Sequence, residues 1–138
     1  QLLNVTNNNF KYISEPTTIS ATAATGTINY DVATQSIVYY TTNATANWTM
    51  NFRALSSATL NSLMAIGQTI TVTFMATQGA TAYYNSAVTI DGNAITPKWQ
   101  SGITPNAGNV NSVDTYTYAI IKTAAATFTV LASQTRYA

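Results

Sequence analysis

Between Asn47 and Phe52 the chain alternates without a break, placing Trp48, Met50 and Phe52 on one side and Asn47, Thr49 and Asn51 on the other. A period of two marks a strand with one buried and one wetted face. "TITVTF" repeats it, with Ile70, Val72 and Phe74 opposed to Thr69, Thr71 and Thr73, and Phe128 and Val130 share a side of "ATFTVLAS". "TINYDV", "SIVYYT", "TAYYNSAVTI" and "TYTYAIIK" are further strand segments, each flanked by Gly, Asn, Asp or Ser. The pattern predicts an all-β fold, an antiparallel β-sandwich of jelly-roll or immunoglobulin type with about 7–9 strands. Its expected core is Trp48, Met50, Phe52, Ile70, Val72, Phe74 and Phe128.

Three segments depart from the alternation. "SSATLNSLMAIG" carries Leu60, Leu63 and Met64 at helical spacing behind a Ser-rich start and ahead of Gly67. It predicts one short helix near residues 56–66, capped at both ends. Residues 101–112, rich in Gly and Asn around Pro105, read as a loop. The opening twenty residues hold Leu2, Leu3, Val5, Phe10, Tyr12 and Ile13 with no sustained period. Residues 1–25 are therefore expected to be an arm or linker, and residues 26–138 the sandwich. No internal repeat is evident in the linear sequence.

At 138 residues the chain is long enough for a single domain burying about two-thirds of its unfolded surface. Charge narrows the function classes. Five Lys and Arg stand against four Asp and Glu, scattered singly, so there is no basic patch of the kind that neutralises phosphates, and nucleic acid is not an expected partner. No apolar run approaches the length of a membrane-spanning helix, so no membrane partner is expected. Cysteine and histidine are both absent, which removes disulfides, thiolate metal sites and the usual proton shuttle near neutral pH. No cofactor and no metal site is expected.

Catalytic chemistry finds little support in the residue types. Serine is plentiful, but there is no histidine to activate it, and neither Lys98 nor Lys122 belongs to a recognisable Ser-Lys pair. The acids Asp31, Asp91 and Asp114 read as strand-end and turn residues. Asp91-Gly92 between "AVTI" and "NAITPKW" reads as a two-residue hairpin turn with positive φ at both positions, in preference to a calcium loop. The three sequons at Asn4, Asn43 and Asn47 are no more than this Asn, Ser and Thr content produces by chance. Candidate ligand or interface contacts are Tyr40 and Tyr84, each from a Tyr-Tyr pair that turns one ring outward, and Lys98 with Trp99 after Pro97. The structural alternative for that last pair is a tryptophan plug over the end of the sandwich with a solvated lysine.

"TPKWQ" at 96–100, "YTYAIIKT" at 116–123 and "FTVLASQTRYA" from 128 resemble a module of virion structural proteins from marine tailed phages, chiefly those infecting cyanobacteria. The resemblance covers roughly residues 26–138. It implies a non-enzymatic virion component, a tail, tail-fibre or capsid-decoration protein, that assembles through sheet edges and faces with itself, as a trimer, and with other virion proteins. The alternative from another class is a carbohydrate-binding module recognising host surface polysaccharide through its tyrosines and the 101–112 loop.

Overall fold

A computed structural model describes residues 4–138; Leu2 and Leu3 of the N-terminal segment lie outside the described residues. The fold is an all-β sandwich of ten strands in two sheets. In chain order these are β1 (Thr17–Ala23), β2 (Gly26–Asp31), β3 (Ile37–Thr42), β4 (Trp48–Arg53), β5 (Thr69–Thr77), β6 (Asn85–Ile90), β7 (Asn93–Ile95), β8 (Lys98–Trp99), β9 (Val113–Ala124) and β10 (Thr127–Tyr137). One sheet runs β1-β3-β5-β9-β10-β8 and the other β2-β4-β6-β7. Strands β1 to β6 alternate strictly between the sheets, so the first half of the molecule is a flattened coil whose turns stack on one another. Thr17 pairs with Ile37 twenty positions later, and Gly26 with Trp48 twenty-two positions later.

That winding corrects the expectation of an antiparallel sandwich and exceeds its strand number. The pairings β1–β3, β3–β5, β2–β4, β4–β6 and β8–β10 are parallel; β5–β9, β9–β10 and β6–β7 are antiparallel. A bend rich in Gly, Asn and Ser tells where a strand stops, not whether the chain folds back within its sheet or crosses to the facing one. Only the second route makes neighbours parallel. The additional strands, β7 and β8, are three and two residues long, too short to carry a period.

The sheets close over a core in which Trp48, Met50, Phe52, Val72 and Phe74 are buried as the alternation predicts. Tyr30, Tyr116, Tyr118 and Ile120 join them. Ile70 and Phe128 are partly buried instead, because each is the second residue of its strand at the margin of the core. The expected turn is present: Asp91 and Gly92 adopt φ of 52° and 79°, and Ile90 pairs with Asn93 across them.

The helix is shorter than expected, a single turn α1 (Leu60–Leu63). One turn is not stable alone in water, and here other elements hold both ends. Asp91 accepts hydrogen bonds from the Leu60 and Asn61 amides at 2.6 and 3.0 Å, and Thr59 Oγ1 accepts from Ser62 N–H at 3.1 Å. At the other end the Lys122 ammonium donates to the carbonyls of Asn61 and Met64 at 2.6 and 2.8 Å. Gly67, at φ 89°, belongs to the turn into β5 and does not cap the helix. Strand β1 lies within the 1–25 segment, tied into the sheet by its ladder with β3.

Candidate functional site

The residues singled out from sequence do not form one cluster. Tyr40 is half-buried on β3 with its ring edge-on to Phe74 at 5.0 Å, and burial raises its phenol pKa above the ordinary value. In its sheet β5, β9 and β10 stand between it and β8. Tyr84 is half-buried just before β6; its amide donates to Asn47 Oδ1 at 3.0 Å, and its carbonyl accepts from Trp48 N–H at 3.2 Å. Lys98 and Trp99 share β8, pairing with Leu131 and Ala132. Trp99 is half-buried with its ring 6.2 Å from Tyr118, while Lys98 is exposed. Grooves of about 270 Å³, beside Val88, Ile95 and Thr104, and about 390 Å³, beside Thr117, Leu131 and Ser133, flank the indole.

Beneath Trp99 lies a polar network without a sequence motif. Tyr118 Oη donates to Asn85 Oδ1 at 3.0 Å, and Asn85 Nδ2 donates to the carbonyls of Trp48 and Ala87 at 3.1 and 2.7 Å. Asn85 sits where the β4–β6 register shifts between Trp48 and Thr49, so its amide serves the carbonyl groups around that irregularity. Tyr116 Oη accepts from Gln134 Nε2 at 2.8 Å and from the Asn85 amide at 3.3 Å.

Asp114 anchors the neighbouring loop. Its Oδ2 accepts from Gln78 Nε2 at 2.9 Å and from Asn109 N–H at 3.0 Å, while Oδ1 is buried without a partner. The close approach requires Gly108, since a Cβ there would lie 2.4 Å from the Tyr83 carbonyl oxygen. The signal for Asp114 was present in the period: it is in phase with Tyr116, Tyr118 and Ile120, all inward-facing. Gln78 likewise continues the phase of Val72, Phe74 and Ala76, whereas Asn85, out of phase with Val88 and Ile90, gave no such signal.

Burial raises the Asp114 pKa above the ordinary carboxylate value, against the lowering effects of Asn109, Gln78 and Arg136, the residue opposite on β10; Tyr116 nearby adds no charge at neutral pH because burial raises its pKa too. A carboxyl with a raised folded-state pKa is fully tolerated below its unfolded value and weakens the fold as pH rises through the folded one. Asp114→Asn keeps an oxygen for Gln78 and Asn109 and removes the charge. The wild type should therefore lose stability relative to Asp114→Asn as pH rises from about 3 to about 7. Urea midpoints of the two proteins across that range check this; a wild type that gains on the variant would show Arg136 to outweigh burial.

The other end of the sandwich is open. Strand β1 ends one sheet and β2 ends the other, each paired on one side only among the described residues. β1, "TTISATA", has no charged residue, and its Ile19 is exposed. On the outer face beside β2 runs a ladder of side chains: Thr89 Oγ1 donates to Asn51 Oδ1 at 2.7 Å, and Asn51 Nδ2 donates to Asn29 Oδ1 at 2.9 Å. Next to it Arg53 Nε meets Asp31 Oδ1 at 2.6 Å. The two side-chain amide hydrogens of Asn29, which enters the ladder as an acceptor, have no protein acceptor among the described residues.

Comparison with protein-family models, with curated proteins and with solved structures gives no match for this chain.

Proposed function

We propose that the chain is a non-enzymatic structural protein of a tailed-phage particle, a tail, fibre or capsid-surface component that assembles with its own copies through its sheet edges. The observation that carries the assembly is the open end of the coil. Two sheets stop there together at β1 and β2; β1 has no lysine or proline and, among the described residues, no covering segment, and its one irregularity is a register shift between Ser20 and Ala23. The particle itself rests on the resemblance of residues 26–138. A non-catalytic role accords with the acids, since Asp31 pairs with Arg53, Asp91 caps α1 and Asp114 is buried. A closed ring, in which each subunit gives and receives the same contact, limits the assembly, with the trimer as the expected size.

Light scattering on the full chain tests this. The wild type should be a defined oligomer at micromolar concentration. Replacing Ile19 and Ala21, both on the exposed side of β1, with lysine should shift it toward monomer while the circular dichroism of the sheets is unchanged. A wild type that is monomeric at that concentration overturns the reading.

A further inference from the structure

We infer that residues 8–12 of the N-terminal arm are a missing rung of the coil, and that the arm of a second copy supplies it by adding as a parallel strand to β2. The inference rests on the assembly reading above and adds, beside the edge at β1, a contact at the second edge, β2. Aligning strands of the smaller sheet by their register exposes a repeat that the linear sequence hides. Ile28-Asn29-Tyr30-Asp31 lies beside Met50-Asn51-Phe52-Arg53, which lies beside Val88-Thr89-Ile90 and then Asp91. Each rung reads inward residue, ladder residue, inward residue, charge. Asn8-Asn9-Phe10-Lys11 matches it at the last three positions, with the polar Asn8 where the other rungs have an apolar residue.

The spacing is close. Asn9 precedes Asn29 by twenty positions, as Thr17 precedes Ile37 in the other sheet, against twenty-two between Gly26 and Trp48 in this one. In that register Asn9 extends the Asn29–Asn51–Thr89 ladder by one step, toward the amide hydrogens that Asn29 leaves without a protein acceptor. Phe10 lines up with Tyr30 and Phe52, whose rings are 5.6 Å apart. Lys11 meets Asp31, continuing a row of alternating charge with Arg53. Backbone pairing supplies the affinity of such strand addition, and side chains at alternate positions supply its register.

The occupant is a second copy because, among the described residues, no arm residue pairs with β2 of its own chain, and Phe10 and Tyr12 are 65% and 86% exposed. In that register Phe10 and Tyr12 share the inward side and offer about 300 Å² of exposed ring surface.

The chain has no cysteine, so an introduced pair reports the contact directly. Asn9→Cys protein is mixed with Asn29→Cys protein under mild oxidation and the products are separated without reductant. A disulfide between the two different chains should form at least about tenfold faster than in the same mixture made with Asn7→Cys, which stands out of register beyond disulfide reach. Absence of that bond while light scattering still reports an oligomer overturns the arm contact and leaves edge assembly standing. A 9–29 bond found solely within single chains of the Asn9→Cys, Asn29→Cys double variant places the arm on its own edge and overturns the second copy as occupant.

Discussion

Phe74→Ala should destabilise the fold by about 3–5 kcal/mol. The ring is fully buried on β5, between Tyr40 edge-on at 5.0 Å and Trp48 edge-on at 5.8 Å. Truncation removes the transfer energy of a phenyl group and opens a cavity. How much of that cavity collapses sets the final value, and here little can. Strand β5 is held on one flank by a parallel ladder to β3 and on the other by a nine-residue antiparallel ladder to β9, so the backbone cannot move inward without breaking hydrogen bonds on both sides. Phe74→Leu, which keeps most of the volume, should lose far less. Urea unfolding at one fixed protein concentration measures both, since assembly makes apparent stability depend on concentration. A loss under about 1 kcal/mol for the alanine variant would mean that the site repacks and that β5 is not clamped as described.

Asn85→Ala should cost about 2–4 kcal/mol, out of proportion to the few atoms removed, because it strips partners from the buried Tyr118 hydroxyl and Trp48 carbonyl. The Tyr118 hydroxyl loses its acceptor, and the Trp48 and Ala87 carbonyls lose a shared donor; Ser86 Oγ, at 3.2 Å, still serves Trp48. Tyr118→Phe removes the other half of one of these bonds. Combined, the two substitutions should cost clearly less than the total of each alone, since the hydroxyl stranded by the first is deleted by the second. Additive effects in the double-mutant cycle would show that the 3.0 Å contact carries no coupling, leaving Asn85 as a backbone support alone.

The alternation of Trp48, Met50 and Phe52 with threonine and asparagine determined by itself that this is a β protein with one wet and one dry face per strand. It placed Trp48, Met50, Phe52, Val72 and Phe74 in the core, and Asp91-Gly92 determined its own hairpin, because both are local: a pleat turns every second side chain the same way, and positive φ favours few residue types. Winding was decided only in three dimensions. Whether "TINYDV" folds back on its neighbour or crosses to the facing sheet depends on which apolar faces meet, and the residues of the bend are the same in either case. The one-turn helix likewise depends on Asp91 and Lys122, thirty-one and sixty-one residues away from the amide and carbonyl that they hold. Of the candidate contacts, Lys98 and Trp99 came out on β8, a two-residue strand beside β10 that no period announces. Asn85, Gln78 and Asp114 owe their roles to partners brought together by the sheets, and the rung pattern shared by residues 28–31, 50–53 and 88–91 is unequally spaced along the chain. Its members become a repeat once parallel pairing sets them side by side, since a ladder is defined by register across strands and not by distance along them.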